Sequence, residues 1–167
     1  MNNKTPPPAP SWFSKDGKFD IETIRKGFNL AGHTKFLGME LSGHGDDWVE
    51  LYLEWREELV ADEKSGVLAS AAIISLLDNA TSLAIFSKMQ AFKPQATMDM
   101  RVDYMRASPK GARVYGRGEC YKLTNTIAFM RGVAHNGDID DPVALVTGTY
   151  IQTSLSTFMG GQKNAQS

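Results

Sequence analysis

The chain has 167 residues, enough for one domain and too few for two of ordinary size. Lysine and arginine together number 18 against 19 aspartates and glutamates, so there is no broad positive field of the kind that nucleic acid or an anionic membrane attracts. The single cysteine, Cys120, excludes an internal disulfide framework and a multi-cysteine zinc site, and it fits a reducing compartment.

Residues 1–16 are polar and carry Pro6, Pro7, Pro8 and Pro10. Proline fixes φ and denies a backbone donor, so this stretch is expected to be extended or disordered. It lacks the apolar centre of a secretory signal, and a cytoplasmic location is expected. One domain is expected over 17–154, followed by a flexible tail at 155–167. Asp20 can cap a short helix over Ile21–Leu30, with Ile21, Ile24 and Phe28 on one face and Gly32 as its stop.

A hairpin is expected next. Phe36–Leu41 forms its first strand, Gly43 to Asp47 its turn, and Trp48–Trp55 its second strand. Val49, Leu51, Leu53 and Trp55 alternate with Glu50, Tyr52 and Glu54, which is the pattern of a half-buried strand. A charged loop, Arg56–Lys64, leads to a long apolar segment, Val67–Met89. That segment is too long for a strand, and Asp78 is its one charge before Lys88. It reads as a helix buried on most of its circumference and is weak as a membrane span.

Period two then returns. In Thr97–Tyr104 the residues Met98, Met100, Val102 and Tyr104 share one face, and Thr97, Asp99, Arg101 and Asp103 the other. Ser108 to Gly111 is a turn, and Ala112–Leu123, Thr126–Ala134 and Val143–Thr153 are three further strands. A long helix with one antiparallel sheet to lie against makes the fold class α+β.

Asp78 is the most informative residue. A carboxylate within an apolar helix costs several kcal/mol unless it is paired or hydrogen-bonded. It is either a structural aspartate, satisfied by a neighbouring strand or by Arg101, or a general base or nucleophile whose basicity burial raises. The helix start is the second feature. Leu68-Ala69-Ser70-Ala71-Ala72 has small side chains, and free N–H groups in a first helical turn can hold an oxyanion. Ser70 and Asp78 are eight residues apart, about 12 Å along a helix. One carbonyl cannot reach both on the same helix, so a shared reaction calls for a second copy of the chain, with the site at the interface.

Elsewhere the chemistry is sparse. His33, His44 and His135 have no metal-ligand spacing, and no metal is expected. Cys120 falls in mid-strand as a buried thiol. Gly116 and Gly118 sit in a strand, where they indicate close approach or a bulge.

The stretch Ala69-Ser70-Ala71-Ala72-Ile73-Ile74-Ser75-Leu76-Leu77-Asp78-Asn79-Ala80, followed by Thr97-Met98-Asp99-Met100-Arg101-Val102-Asp103-Tyr104-Met105-Arg106, resembles the PaaI-like acyl-CoA thioesterases. These belong to the 4-hydroxybenzoyl-CoA thioesterase superfamily, and the order of elements from Phe36 to Thr153 is similar too. The resemblance implies a hotdog fold, in which a sheet wraps one long central helix. It also implies a homodimer or dimer of dimers that pairs its sheets edge to edge. It makes Asp78 the base or nucleophile that attacks a thioester, and Thr97 the hydroxyl that holds the attacking water. The family's His-Gly-Gly falls on Ala69, Ser70 and Ala71, and the backbone N–H after the histidine, here that of Ser70, polarises the carbonyl. A polar loop residue of the family falls at or near Glu63.

The acyl group would lie along Ile74, Leu77, Thr81 and Ile85, near Ala69 and Ala71. Arg106 and Lys110 would meet the coenzyme A phosphates, though a solvated turn accounts for them as well. Acyl-CoA is then the substrate, with no cofactor. Three alternatives remain open, one of them a structural or interaction protein if Asp78 is ion-paired and the cleft closed. The replaced His-Gly-Gly fits a module that binds acyl-CoA without turning it over. A hydratase of enoyl thioesters would pair an aspartate with a histidine, and none lies near Asp78 in sequence.

Overall fold

The structure is a computed structural model and describes residues 20–27, 32–91 and 93–152. The expected proline-rich N-terminus and C-terminal tail lie outside the described residues.

Two short helices come first, α1 (Ile21–Gly27) and α2 (Gly32–Leu37). Asp20 stands at the start of α1, where its Oδ2 accepts the Thr23 hydroxyl at 2.6 Å. The second helix corrects the sequence reading, which placed a stop at Gly32 and a strand from Phe36. Gly38 is the stop instead. Its φ of 66° suits a residue without Cβ. The Met39 N–H closes on Thr34 O at 3.2 Å and the Gly38 N–H on Lys35 O at 3.1 Å. That pair of bonds is the Schellman ending of a helix. It turns Leu37 and Met39 into the core and leaves Phe36 exposed.

The hairpin follows as β1 (Glu40–His44) and β2 (Trp48–Leu53), with Val49, Leu51 and Leu53 buried as the alternation predicts. The expected charged loop contains structure that the sequence reading lacked. A single 3₁₀ turn, Glu57–Leu59, leads into a small antiparallel hairpin of β3 (Val60–Asp62) and β4 (Val67–Leu68). Consequently α3 runs Ser70–Met89 and does not begin at Val67. Asp62 makes the turn of this hairpin, accepting the Ser65 N–H at 2.9 Å on Oδ2 and the Gly66 N–H at 2.9 Å on its carbonyl.

The remaining strands are β5 (Gln95–Tyr104), β6 (Val114–Leu123), β7 (Ile127–His135) and β8 (Pro142–Gln152). The main sheet is antiparallel in the order β1-β2-β6-β7-β8-β5, so β5 ends one side of it. The helix α3 lies across β2, β6 and β7. Leu76, Leu77, Ala80, Ala84 and Ile85 are fully buried there, and burying each of the larger ones is worth about 1.5–3 kcal/mol. An 18-residue stretch of α3 reaches a mean hydropathy of 1.3, enough by length and composition for a membrane span, but most of it is buried inside the fold.

The close approach indicated at Gly118 is real. A Cβ there would stand 2.5 Å from the Thr81 backbone nitrogen, so the helix backbone rests directly on the strand. That contact sets the height of α3 over the sheet. This is an α+β hotdog arrangement, a curved antiparallel sheet around one central helix.

Candidate active site

One strip of α3 escapes burial. Ala71, Ile74, Ser75, Asp78 and Ser82 recur at three- and four-residue steps and are exposed or half-buried, as is the neighbouring Asn79, while between Ala72 and Ser87 the other residues of the helix are buried. Asp78 is in the middle of this strip. Thr97 Oγ1 donates to its Oδ1 at 2.8 Å, and the phenol of Tyr150 donates to the same oxygen at 2.7 Å. Tyr150 is buried, with 2% exposure. Its hydroxyl lies 2.9 Å from the Asp78 carbonyl and 3.1 Å from Thr81 Oγ1. Burial and then the Asp78 charge hold its proton well above the usual tyrosine range. Arg101, a conceivable partner of Asp78, pairs with Asp103 at 2.9 Å instead.

Thr97 reaches Asp78 because β5 carries a bulge. The pairing with β8 shifts between Thr97 and Asp99, leaving Met98 as the extra residue. A bulge reverses the alternation beyond it. Gln95 and Thr97 on one side of it and Tyr104 on the other therefore all touch α3, through Ser82, Asp78 and Ser70. Strict period two, as read from the sequence, puts Thr97 and Tyr104 on opposite faces. The bulge corrects that assignment.

At the helix start, Ala69 is the N-cap and has no side-chain cap bond; its own N–H is taken by Leu59 O at 2.8 Å. The Ala72 N–H bonds to Ala69 O at 3.0 Å. The Ser70 and Ala71 N–H groups have no partner among the described residues and point out of the first turn, as helix geometry requires. Both side chains are exposed, and the Ser70 carbonyl accepts the Tyr104 hydroxyl at 3.1 Å. Trp55 Nε1 bonds to Gly66 O at 2.8 Å and steadies the loop that feeds this turn.

The other expected site residues divide. Ile74 is 40% exposed, one turn from Asp78. Leu77, Thr81 and Ile85 face inward and are fully buried, because they lie on the side of α3 that meets the sheet. Arg106 has its guanidinium engaged. It bonds to Asp141 Oδ1 at 3.0 Å, the Asp141 carbonyl at 2.8 Å and Asn136 Oδ1 at 2.9 Å, tying the end of β5 to the β7–β8 connection. Lys110 Nζ lies 5.8 Å from the centre of the Trp55 ring. It walls a cavity of about 250 Å³ together with Trp55, Glu57, Glu63 and Gly66.

Two residues that sequence reasoning missed come to this region. Tyr150 is the register partner of Thr97 across β5 and β8, so the two hydroxyls arrive side by side. His33, on α2, lies 3.2 Å from Ser75 Oγ through its Nε2. Ser75 is three residues before Asp78, about 4.5 Å along the helix axis. A signal for Tyr150 existed, a tyrosine on the core face of a predicted strand. None existed for His33, which is distant in sequence and fell in the expected loop between the Gly32 stop and the strand from Phe36, where α2 now lies. The other two histidines are elsewhere. His44 ends β1, and His135 ends β7, buried, with Nε2 3.3 Å from Glu50. Cys120 is buried, and burial pushes its thiol up.

The model of the thioesterase superfamily matches residues 65–143, from β4 through α3 to the start of β8. No curated protein matches the chain by sequence. Among solved structures, a protein of Pseudomonas aeruginosa is similar at 28% identity, covering 80% of this chain and 98% of its own, with a TM-score of 0.71. A thioesterase of Haemophilus influenzae is similar at 19% identity over 82% of this chain and 92% of its own, with a TM-score of 0.71. The PaaI protein of the E. coli phenylacetic acid degradation operon is similar at 13% identity over 80% and 93%, with a TM-score of 0.69. Over the central helix and much of the sheet the chain is similar to the thioesterase superfamily, and the strand order around that helix is the hotdog fold.

Proposed function

We propose that the chain is an acyl-CoA thioesterase that works as a dimer or a dimer of dimers, with Asp78 as its base. The observation that carries this reading is the Asp78 carboxylate. It sits on the one uncovered strip of an otherwise buried helix, and two hydroxyls hold it by a single oxygen. Asp78 takes a proton from water, and the oxygen of that water bonds to the thioester carbonyl carbon. The oxyanion rests on the N–H of Ser70 of the partner subunit. Collapse breaks the carbon–sulfur bond and releases the free acid, and the proton held by Asp78 goes to the coenzyme A thiolate. The Thr97 hydroxyl donates its hydrogen bond to Asp78 and keeps lone pairs that can accept one from the attacking water.

The partner is needed because Ser70 and Asp78 are about 12 Å apart along one helix. Several features support assembly on this side of the molecule. β5 ends the sheet, and Ile74, Met98, Tyr104 and Met105 are exposed apolar residues on β5, just after it, and on the adjacent strip of α3. Ile74 would then line the acyl group, and Lys110 remains available to a phosphate at the mouth. The test is thiol release from acyl-CoAs by wild type and Asp78→Asn. Loss of turnover in the variant supports the reading, and near-normal kcat in it removes Asp78 from the chemistry. Saturable binding without turnover would instead indicate an acyl-CoA-binding module, consistent with Ala69-Ser70-Ala71 at the helix start.

His33 favours a second reading. It brings an imidazole to the Asp78 strip, and an aspartate–histidine pair is what hydration of an enoyl thioester uses. Loss of enoyl absorbance without thiol release would distinguish it.

A further inference from the structure

The carboxylate of Asp78 has two oxygens in different surroundings. Oδ1 accepts both Thr97 Oγ1 and the Tyr150 phenol. No donor from the described residues reaches Oδ2.

Tyr150 has only one proton to give. Three acceptors lie within reach, at 2.7 Å for Asp78 Oδ1, 2.9 Å for the Asp78 carbonyl and 3.1 Å for Thr81 Oγ1. The carboxylate oxygen is the nearest of them and the only one that bears a charge, so it takes the larger share of the proton. A buried tyrosine kept only for packing needs one partner, and the Asp78 carbonyl or Thr81 would suffice. The bond to the carboxylate is additional. It is also fixed in place, since β8 and β5 hold Tyr150 opposite Thr97, and the phenol is supported from behind by Thr81, whose hydroxyl also bonds to Leu77 O at 2.8 Å.

We propose that Tyr150 is a positioning residue that selects the reacting oxygen of Asp78. With Thr97 it saturates Oδ1, locks the rotation of the carboxylate, and leaves the lone pairs of Oδ2 directed at the water. This rests on the reading of Asp78 as the base. A donor to a carboxylate favours its charged form, and removing such a donor disfavours it. The phenol does not titrate in the working range, so the arrangement holds at neutral pH.

The test is Tyr150→Phe, which removes one oxygen from a buried ring of the same shape and leaves Thr81 bonded to Leu77. Two readouts are taken on wild type and variant. The first is steady-state thiol release across pH. The second is the titration of the Asp78 carboxyl carbon by NMR, with the signal assigned by its absence in Asp78→Asn. The expected result is a fall in kcat of about ten-fold or more with KM within about two-fold, together with an acid limb of the rate profile and an NMR midpoint that both move to higher pH. A merely structural tyrosine would lower thermal stability and leave the midpoint in place. An unmoved midpoint overturns the proposal whether or not the wild type turns over. If the wild type releases no thiol from any acyl-CoA but the midpoint moves, the positioning role stands and the thioesterase reading falls. If the wild type is active and Tyr150→Phe matches it in kcat and midpoint, the thioesterase reading stands and the positioning role falls.

Discussion

Thr97 and Tyr150 face each other across β5 and β8, and both of their hydroxyls end on one oxygen of Asp78. Neither hydroxyl is on the helix that carries the carboxylate. The sheet therefore orients the candidate base, and the bulge at Met98 is what turns Thr97 to the correct side.

Removing one of the two donors tests this arrangement from the exposed side. Thr97→Val should lower kcat about ten-fold with little change in melting temperature, since Thr97 is exposed and its loss opens no cavity. Thr97→Ser keeps the hydroxyl and should recover most of the rate. Equal loss in both variants would mean that shape at this position matters more than the donor.

The N–H proposed as oxyanion donor can be removed by one substitution. Ser70 is the first residue of α3, where proline is favoured in a helix. The preceding Ala69 has φ −60° and ψ 136°, which a following proline allows. Ser70→Pro should therefore leave stability near that of wild type while deleting the N–H, and kcat should fall about 10²–10³-fold. An active Ser70→Pro enzyme would exclude this N–H as the donor.

The helix that holds Asp78 is seated by glycine. Gly118→Ala would drive a Cβ to 2.5 Å from the Thr81 backbone, which cannot move without lifting α3. Gly116→Ala meets the Leu76 side chain at 2.7 Å, which can rotate away. Gly118→Ala is expected to cost about 1–3 kcal/mol in urea unfolding, and Gly116→Ala less. Equal costs would show that α3 is not resting on the strand backbone.

The buried phenol gives a pH signature. Burial and the Asp78 charge raise Tyr150 above its ordinary value in the folded state only. An acid whose folded value is raised contributes stability that is complete below the unfolded value, about 10 for tyrosine. That stability is lost as pH rises through the folded value, because the unfolded chain releases its proton first. Wild type should therefore lose stability above about pH 10 with a slope of up to about 1.4 kcal/mol per pH unit from this group. Tyr150→Phe should show a shallower decline. Tyr52 and Tyr104 are raised too and contribute equally to both proteins, so the difference isolates Tyr150. Parallel curves would contradict the assignment.

Much of this was legible in the sequence wherever one physical signal dominated. The length and apolarity of α3 and the alternation in β2 each specify their element almost alone, and the lone charge of Asp78 marks the carboxylate on which Thr97 and Tyr150 converge. Thr97 could be matched to the family motif, and Gly118 foretold the close approach of the helix. The failures came where local geometry overrides periodicity. A bulge at Met98 shifts the alternation without leaving a mark in composition. Gly38 was read as lying within a strand, although the glycine is what ends α2 and sends Met39 inward. The hairpin of β3 and β4 is too short to show period two, and it stands where charge suggested a loop. Tyr150 and His33 reach the site from 72 and 42 residues away from their contacts on α3, and only the assembled fold brings them there.

The most direct test of the central claim is thiol release from short-chain, long-chain and aryl acyl-CoAs, measured for wild type and Asp78→Asn together with their melting temperatures. The account predicts turnover of at least one acyl-CoA by the wild type. It predicts a loss of about 10²–10⁴-fold in Asp78→Asn at nearly unchanged melting temperature, since the asparagine oxygen still accepts from Thr97 and Tyr150. Turnover that persists in Asp78→Asn at close to the wild-type kcat would contradict it.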